Sequence, residues 1–270
     1  MRTATRMVVL GRKLWTPAAL GSSLALWLDS DDVSTITLNG STVSQWRDKS
    51  GNGRHASQAD SARQPTYTAN GLNGKPVLTF DGTNDFLSFS VPVIGTTHSL
   101  FLVFTPTIEN AAGAVFGQWS AGQTGRFLFS ANQSSLGQTD AGKLNPFNST
   151  ATAGGGSGGL AADVNISNTP TLITSISTTG SEQWKLFKNG TEWDSATITS
   201  VFTGVNSAIG SVNATELLNP FDGTVSELVS FPSVLSTTDR QTLEGYLMHK
   251  RGLTADLPIN HLFKFTPPYI

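Results

Sequence analysis

The sequence predicts an all-β protein closed by a single helix near its C-terminus. Three observations carry this expectation. Short runs rich in Val, Ile, Thr, Phe and Trp recur along the chain, separated by Gly, Asn, Asp and Pro, as strands and turns require. Asn-Gly pairs at Asn39-Gly40 and Asn189-Gly190 lie between such runs, where a tight hairpin needs residues that tolerate left-handed backbone. One segment, Ser236 to Gly252, has helical spacing instead. Ser236 and Asp239 make a capping start, Leu243, Tyr246, Leu247 and Lys250 follow on one face, and Gly252 suits the stop.

A chain of 270 residues holds one large β unit or two small ones. Only 13% of residues are charged, and Ser, Thr, Asn and Gly supply the polar surface instead. The net charge of −2 argues against a nucleic-acid binder, which needs a basic stripe. With no cysteine, disulfides, thiolate metal sites and cysteine nucleophiles are excluded.

In chain order, residues 1–22 read as an N-terminal arm. Arg2, Arg6, Arg12 and Lys13 are basic and no acid precedes Asp29, so the arm either docks on an acidic partner surface or is a solvated tail. Trp15-Thr16-Pro17 offers a point where it can tuck onto the main domain. The apolar Met7-Val8-Val9-Leu10 is broken by Gly11-Arg12-Lys13, too short for a secretory core, and no run is long enough to span a membrane. The expectation is a protein made in the cytoplasm that reaches an exterior as part of a particle.

Leu24–Leu28 is a buried strand. The acids that end it, Asp29, Asp31 and Asp32, either bind calcium or cap a turn; the spaced ligands of an EF-hand loop are missing, which favours the cap. Thr35–Leu38 and Thr42–Trp46 form a hairpin. The stretch from Trp46 to Phe89 then organises the chain, with an ordered turn at Asp48–Gly53, breaks at Pro65 and Asn73-Gly74, and the loop Asp81–Asp85 between Pro76–Phe80 and Phe86–Phe89. Ser99–Phe104, nearly all apolar, reads as a central strand buried on both faces. Ala114–Gly117 and Arg126–Phe129 continue the series, Gly154–Gly159 is loop, and Thr171–Ile176, Trp184–Lys188 and Thr191–Trp193 follow. Ala208–Ser211 and Phe221–Phe231 close the strands. In the alternation Phe221, Gly223, Val225, Glu227, Val229, Phe231 the acid shares a face with apolar residues, so Glu227 is expected to be paired. Residues 254–270 form a C-terminal extension whose Leu262, Phe263, Phe265 and Tyr269 call for cover by the domain or by a partner.

The Trp46-x-Asp48-x-Ser50-Gly51-Asn52-Gly53 turn, followed by Phe80-Asp81-Gly82-x-x-Asp85-Phe86-Leu87, resembles the laminin-G-like, concanavalin A-like jelly rolls of bacterial and phage surface proteins. The Asn189-Gly190 hairpin, the closing strands and the terminal helix resemble the same family. The resemblance covers residues 23–253. It implies a two-sheet antiparallel jelly-roll sandwich in which the early and late strands, each carrying Phe-Asp-Gly-Thr, share a sheet. Calcium at loop acids is common in such domains and would fall on Asp81, Asn84 and Asp85; the alternative is a turn in which Asp81 and Asn84 cap backbone amides.

Glycoside hydrolysis needs two carboxylates across one sugar bond. The Glu-x-Asp-x-x-Glu string of the glucanase members is absent, and Glu192-Trp193-Asp194 puts only two acids on one strand face. His55, His98, His249 and His261 show no ligand spacing. The expectation is therefore a non-enzymatic phage virion surface protein, a head decoration, head fibre or tail subunit, oligomeric and docked on capsid or tail proteins. A lectin-like module adhering to host polysaccharide through Trp119, Trp184 and Trp193 is the alternative, and a depolymerase a more distant one.

Overall fold

The computed structural model describes residues 12–107, 113–119, 126–131, 144–149, 166, 168–178, 184–196, 206–215 and 219–270. Arg2, Arg6 and the Gly154–Gly159 loop lie outside these residues. The early strands are β1 (Leu26–Asp29), β2 (Ile36–Asn39), β3 (Thr42–Trp46), β4 (Ala56–Ser57), β5 (Thr66–Leu72), β6 (Lys75–Asp81), β7 (Leu87–Phe89) and β8 (His98–Pro106). The later ones are β9 (Gly113–Gln118), β10 (Arg126–Ala131), β11 (Leu144–Ser149), β12 (Thr171–Ser177), β13 (Trp184–Lys188), β14 (Thr191–Ala196), β15 (Ala208–Ile209) and β16 (Asp222–Phe231). One helix, α1 (Thr237–Arg251), follows.

The strands hydrogen-bond antiparallel in the order β11-β10-β9-β15-β7-β4-β3-β5-β6-β16-β8-β12-β13-β14, with β1 on β16 and β2 on β3. The two arms of this path face each other across one core. Val43, Trp46, Leu87, Phe89 and Phe116 from one arm meet Leu78, Phe80, Leu102, Phe104, Ile173 and Leu228 from the other. A second core lies on the far side of the β8–β16 layer, where Trp27, Phe101, Val103, Val229 and Phe231 pack against Leu243, Tyr246, Leu247 and Met248 of α1. Odd and even residues of β8 thus enter different cores, and this is why its sequence is apolar throughout.

Asn189-Gly190 forms a tight turn with φ of 48° and 79°, and Asn73-Gly74 forms another between β5 and β6 with φ of 49° and 76°. At the β2–β3 hairpin Asn39 pairs with Thr42, so the two turn residues are Gly40 and Ser41. The repeated Phe-Asp-Gly-Thr segments lie side by side, with Asp81 opposite Asp222 and Phe80 opposite Gly223.

The alternation expected through Glu227 does not hold. A β-bulge between Val225 and Glu227 inserts one residue. Phe221 and Val225 therefore point into the sandwich, while Glu227, Val229 and Phe231 face α1. Glu227 is paired, as burial demands, but on the helix side.

The ends are not free arms where they are described. Trp15 N–H donates to Pro268 O at 3.0 Å, and Ile270 N–H to Lys13 O at 2.9 Å. The Trp15 ring meets Tyr246 of α1 edge-on at 5.9 Å. Residues 13–22 and 254–270 thus belong to the body of the fold, although Arg12 and Lys13 themselves are exposed. No helix among the described residues is long and apolar enough to cross a membrane.

Candidate functional site

The turn after β3 is a staple. Asp48 Oδ1 accepts the amides of Trp27 at 3.0 Å and Ser50 at 2.8 Å, and its Oδ2 accepts Ser50 Oγ–H at 2.8 Å and the Arg54 amide at 3.0 Å. Asn52 Nδ2 donates to the carbonyls of Leu24 at 2.9 Å and Ala25 at 3.1 Å. Gly51 and Gly53 supply the left-handed backbone, with φ of 90° and 69°. The motif on which the family resemblance rests is thus spent on tying β1 to the β3–β4 connection.

The same turn builds one wall of a groove. Leu87 and Phe89 of β7 and Ala56 of β4 point inward, so Ser88 and Ser57 point outward. Register places Gln45 opposite Ser57 and Ser57 opposite Ser88, giving one polar row across three strands. Gln45 Nε2–H donates to Ser57 Oγ at 3.2 Å, and Ser88 Oγ–H to Ser57 O at 3.2 Å. Gly53, His55, Ser90, Asn206 and Thr215 join this row around a cavity of about 430 Å³, within the usual range of ligand pockets. His55 Nδ1 accepts the Asp48 amide at 3.1 Å, so the staple also sets the imidazole. These residues escaped the sequence reading because they are single polar positions scattered over some 170 residues; only Ser57 and Ser88, each next to an apolar strand residue, carried a signal.

The three tryptophans do not converge. Trp184 is fully buried in the sandwich core, with its Nε1–H on Ser175 Oγ at 2.9 Å, and offers no face to a sugar. That corrects its place among the candidate sugar-binding residues; an apolar ring on a strand between two sheets is drawn into the core. Trp193 is half-buried against the same core, and Trp119 rests on Ala114 and Val212 at the end of β9, in the other layer.

Asp81, Asn84 and Asp85 do share a loop. Asp81 Oδ1 accepts the amides of Thr83 at 2.8 Å and Asn84 at 3.1 Å, and Asp85 Oδ2 accepts the Asp81 amide at 3.1 Å. The geometry is that of a capped turn, with Asn84 contributing its backbone amide. Burial, then the neighbouring Asp81 charge, pushes the Asp85 carboxyl up to about 6, and the same two causes raise Asp222. Among the described residues no group of three or more His, Asp or Glu converges to hold a metal.

The acids ending β1 are likewise engaged. Asp29 bonds Lys250 at 2.5 Å, Lys49 at 2.8 Å and Arg251 at 3.3 Å, and Glu227 bonds Lys250 at 2.9 Å and Arg251 at 3.0 Å. Trp27 Nε1–H completes the Glu227 shell at 2.9 Å. Burial opposes the Asp29 charge, yet Lys250 and Lys49 hold its carboxyl below the usual range. Asp32 caps the Val33–Thr35 turn through Ser34 N–H. This cluster locks α1 to the sheet.

No protein-family model and no curated protein matches the chain. Solved structures do match. Domain 4 of AbnA, an extracellular arabinanase from Geobacillus stearothermophilus solved with arabinotriose, superposes with a TM-score of 0.55 at 15% identity, covering 82% of this chain and 98% of that domain. The sialidase of Trypanosoma rangeli, solved with sialic acid, gives 0.55 at 14% identity, covering 88% of this chain and 36% of the sialidase. The ligand-binding domain of botulinum neurotoxin serotype D, solved with N-acetylneuraminic acid, gives 0.55 at 11% identity, covering 82% of this chain and 50% of that one. The fold is the concanavalin A-like sandwich. At such identities the likeness concerns architecture alone, and this chain spans half or less of the sialidase and toxin chains.

Proposed function

We propose that the chain is a carbohydrate-binding, lectin-like module whose ligand lies in the groove over β3, β4 and β7. The observation that carries this reading is the outward row Gln45, Ser57 and Ser88, flanked by His55, Asn206 and Thr215 in one cavity. Such side chains both donate and accept hydrogen bonds, matching the hydroxyls of a sugar. Sugar complexes among the solved neighbours support it. The module is non-enzymatic in this reading: the described lining residues include no carboxylate pair of the kind glycoside hydrolysis requires. A glycan array of bacterial and host saccharides probed with the purified chain tests it. Binding that is weakened by Ser57→Ala or Ser88→Ala supports the reading, and a blank array rejects it.

A second reading places the module on a phage particle. One observation favours it: the C-terminal segment and the bridged ends expose Leu14, Ile259, Leu262, Phe265 and Ile270, with Phe265 77% exposed, as a surface seated on a particle or a second copy would. Immunogold labelling of lysate from the source, with antibody to the chain, should decorate heads or tails; label confined to cells removes it.

A further inference from the structure

Resting on the carbohydrate-binding reading, we infer that the groove selects uncharged saccharides and that His55 is its specificity-determining hydrogen-bond donor.

The described lining of the groove is neutral apart from His55. Its described residues include no Asp, Glu, Lys or Arg, and His55 is the one titratable group. A uronic or sialic acid entering here would lose hydration around its carboxylate and meet no guanidinium or ammonium among the described lining residues in return. Two neighbouring cations are committed elsewhere, and Arg54 is not among the lining residues. Arg47 donates to Ser34 O, and Lys49 is paired with Asp29 and Asp32, each at 2.8 Å. Amide and hydroxyl groups, in contrast, satisfy sugar hydroxyls without a net charge.

The staple fixes the tautomer of His55. Because His55 Nδ1 accepts the Asp48 amide, the neutral ring carries its proton on Nε2. Nε2–H can therefore donate to a ligand oxygen and cannot accept from a hydroxyl. Its direction is set by backbone in a turn whose carboxylate is itself held by four donors. Ser57 and Ser88 line the same cavity and offer hydroxyls to the same ligand. Asp48 is a positioning residue in this scheme; His55 is the one that touches the ligand.

Heteronuclear NMR titration of the full chain separates the parts of this inference. Arabinotriose and cellotriose serve as neutral probes, 3′-sialyllactose and trigalacturonate as acidic ones. At least one neutral probe is expected to shift the amides around Ser57, Ser88 and Asn206, and neither acidic probe is. His55→Phe, which keeps a ring and loses the donor, should weaken the neutral probe about tenfold, and His55→Gln, which keeps a donor, should recover part of that loss. Spectra of both variants in the absence of sugar report whether they fold; if His55→Phe does not, the comparison of His55→Gln with His55→Ala carries the test. Binding of only the acidic probes at these amides overturns charge selection, and loss of that binding in Arg54→Gln would assign it to Arg54 instead. Neutral binding undiminished in the donorless variant overturns the role of His55. No shift with any probe, together with a blank array, rejects the carbohydrate reading itself.

Discussion

Two buried titratable side chains pull the pH dependence of this protein in opposite directions. Burial drives His98 down to about 4, and its neutral ring sits between Gly95 O at 2.8 Å and Ser175 Oγ at 2.9 Å. A histidine lowered on folding supports stability above its unfolded value, and that support is lost as pH falls from about 6.5 toward 4. Asp85 behaves the other way. Its carboxyl binds a proton more tightly in the folded state, so its contribution falls as pH rises from about 4 through 6. Asp85→Asn keeps an acceptor for the Asp81 amide and removes the charge. Thermal melts from pH 4 to 8 should show the variant more stable at pH 7 by on the order of 1 kcal/mol, with the gain vanishing toward pH 4. A gain that is constant across this range would contradict the assignment. Glu227→Ala should cost about 3 kcal/mol in urea unfolding, because Lys250 and Arg251 stay buried with one partner fewer. A loss below about 0.5 kcal/mol would mean that the cluster is dispensable.

Among the elements, the Asp48–Gly53 turn and α1 do the joining. The carboxylate of Asp48 satisfies three backbone amides, so Asp48→Ala leaves them without their acceptor. The expected destabilisation is about 3 kcal/mol, with Asp48→Asn in between, measured by urea unfolding. The turn was legible in the sequence because Asp, Ser, Asn and Gly at that spacing are local instructions: each side chain bonds backbone within a few residues, or Gly supplies the φ. The α1 termini were legible for the same reason. Ser236 accepts from Asp239 N–H at 3.1 Å, and Gly252 takes φ 69°. The face on which Glu227 lies was not legible. A bulge depends on how β16 is shared among β1, β6 and β8, and no residue of β16 encodes that sharing by itself.

For the whole molecule, the ends of the chain are part of the fold. Leu257 and His261 are buried, His261 Nε2 lies 3.3 Å from Glu244, and His249 bonds Phe263 O at 2.8 Å. Removing residues 254–270 should therefore lower the melting temperature by roughly 5–10 °C instead of leaving a self-sufficient domain. Melting of the truncated chain within about a degree of the full one would restore the picture of detachable arms.

Local chemistry specified an all-β chain, the Asn189-Gly190 turn, the capped helix, the doubly buried β8, and the Asp48 turn that carries the family resemblance. Each depends on residues close together, whose propensities act before any packing. Tertiary packing decided that Trp184 is core, that Glu227 faces α1, and that Gln45, His55, Ser57, Ser88 and Asn206 line one groove. Those outcomes depend on register between strands far apart in sequence, and register is set by the two cores as they close together.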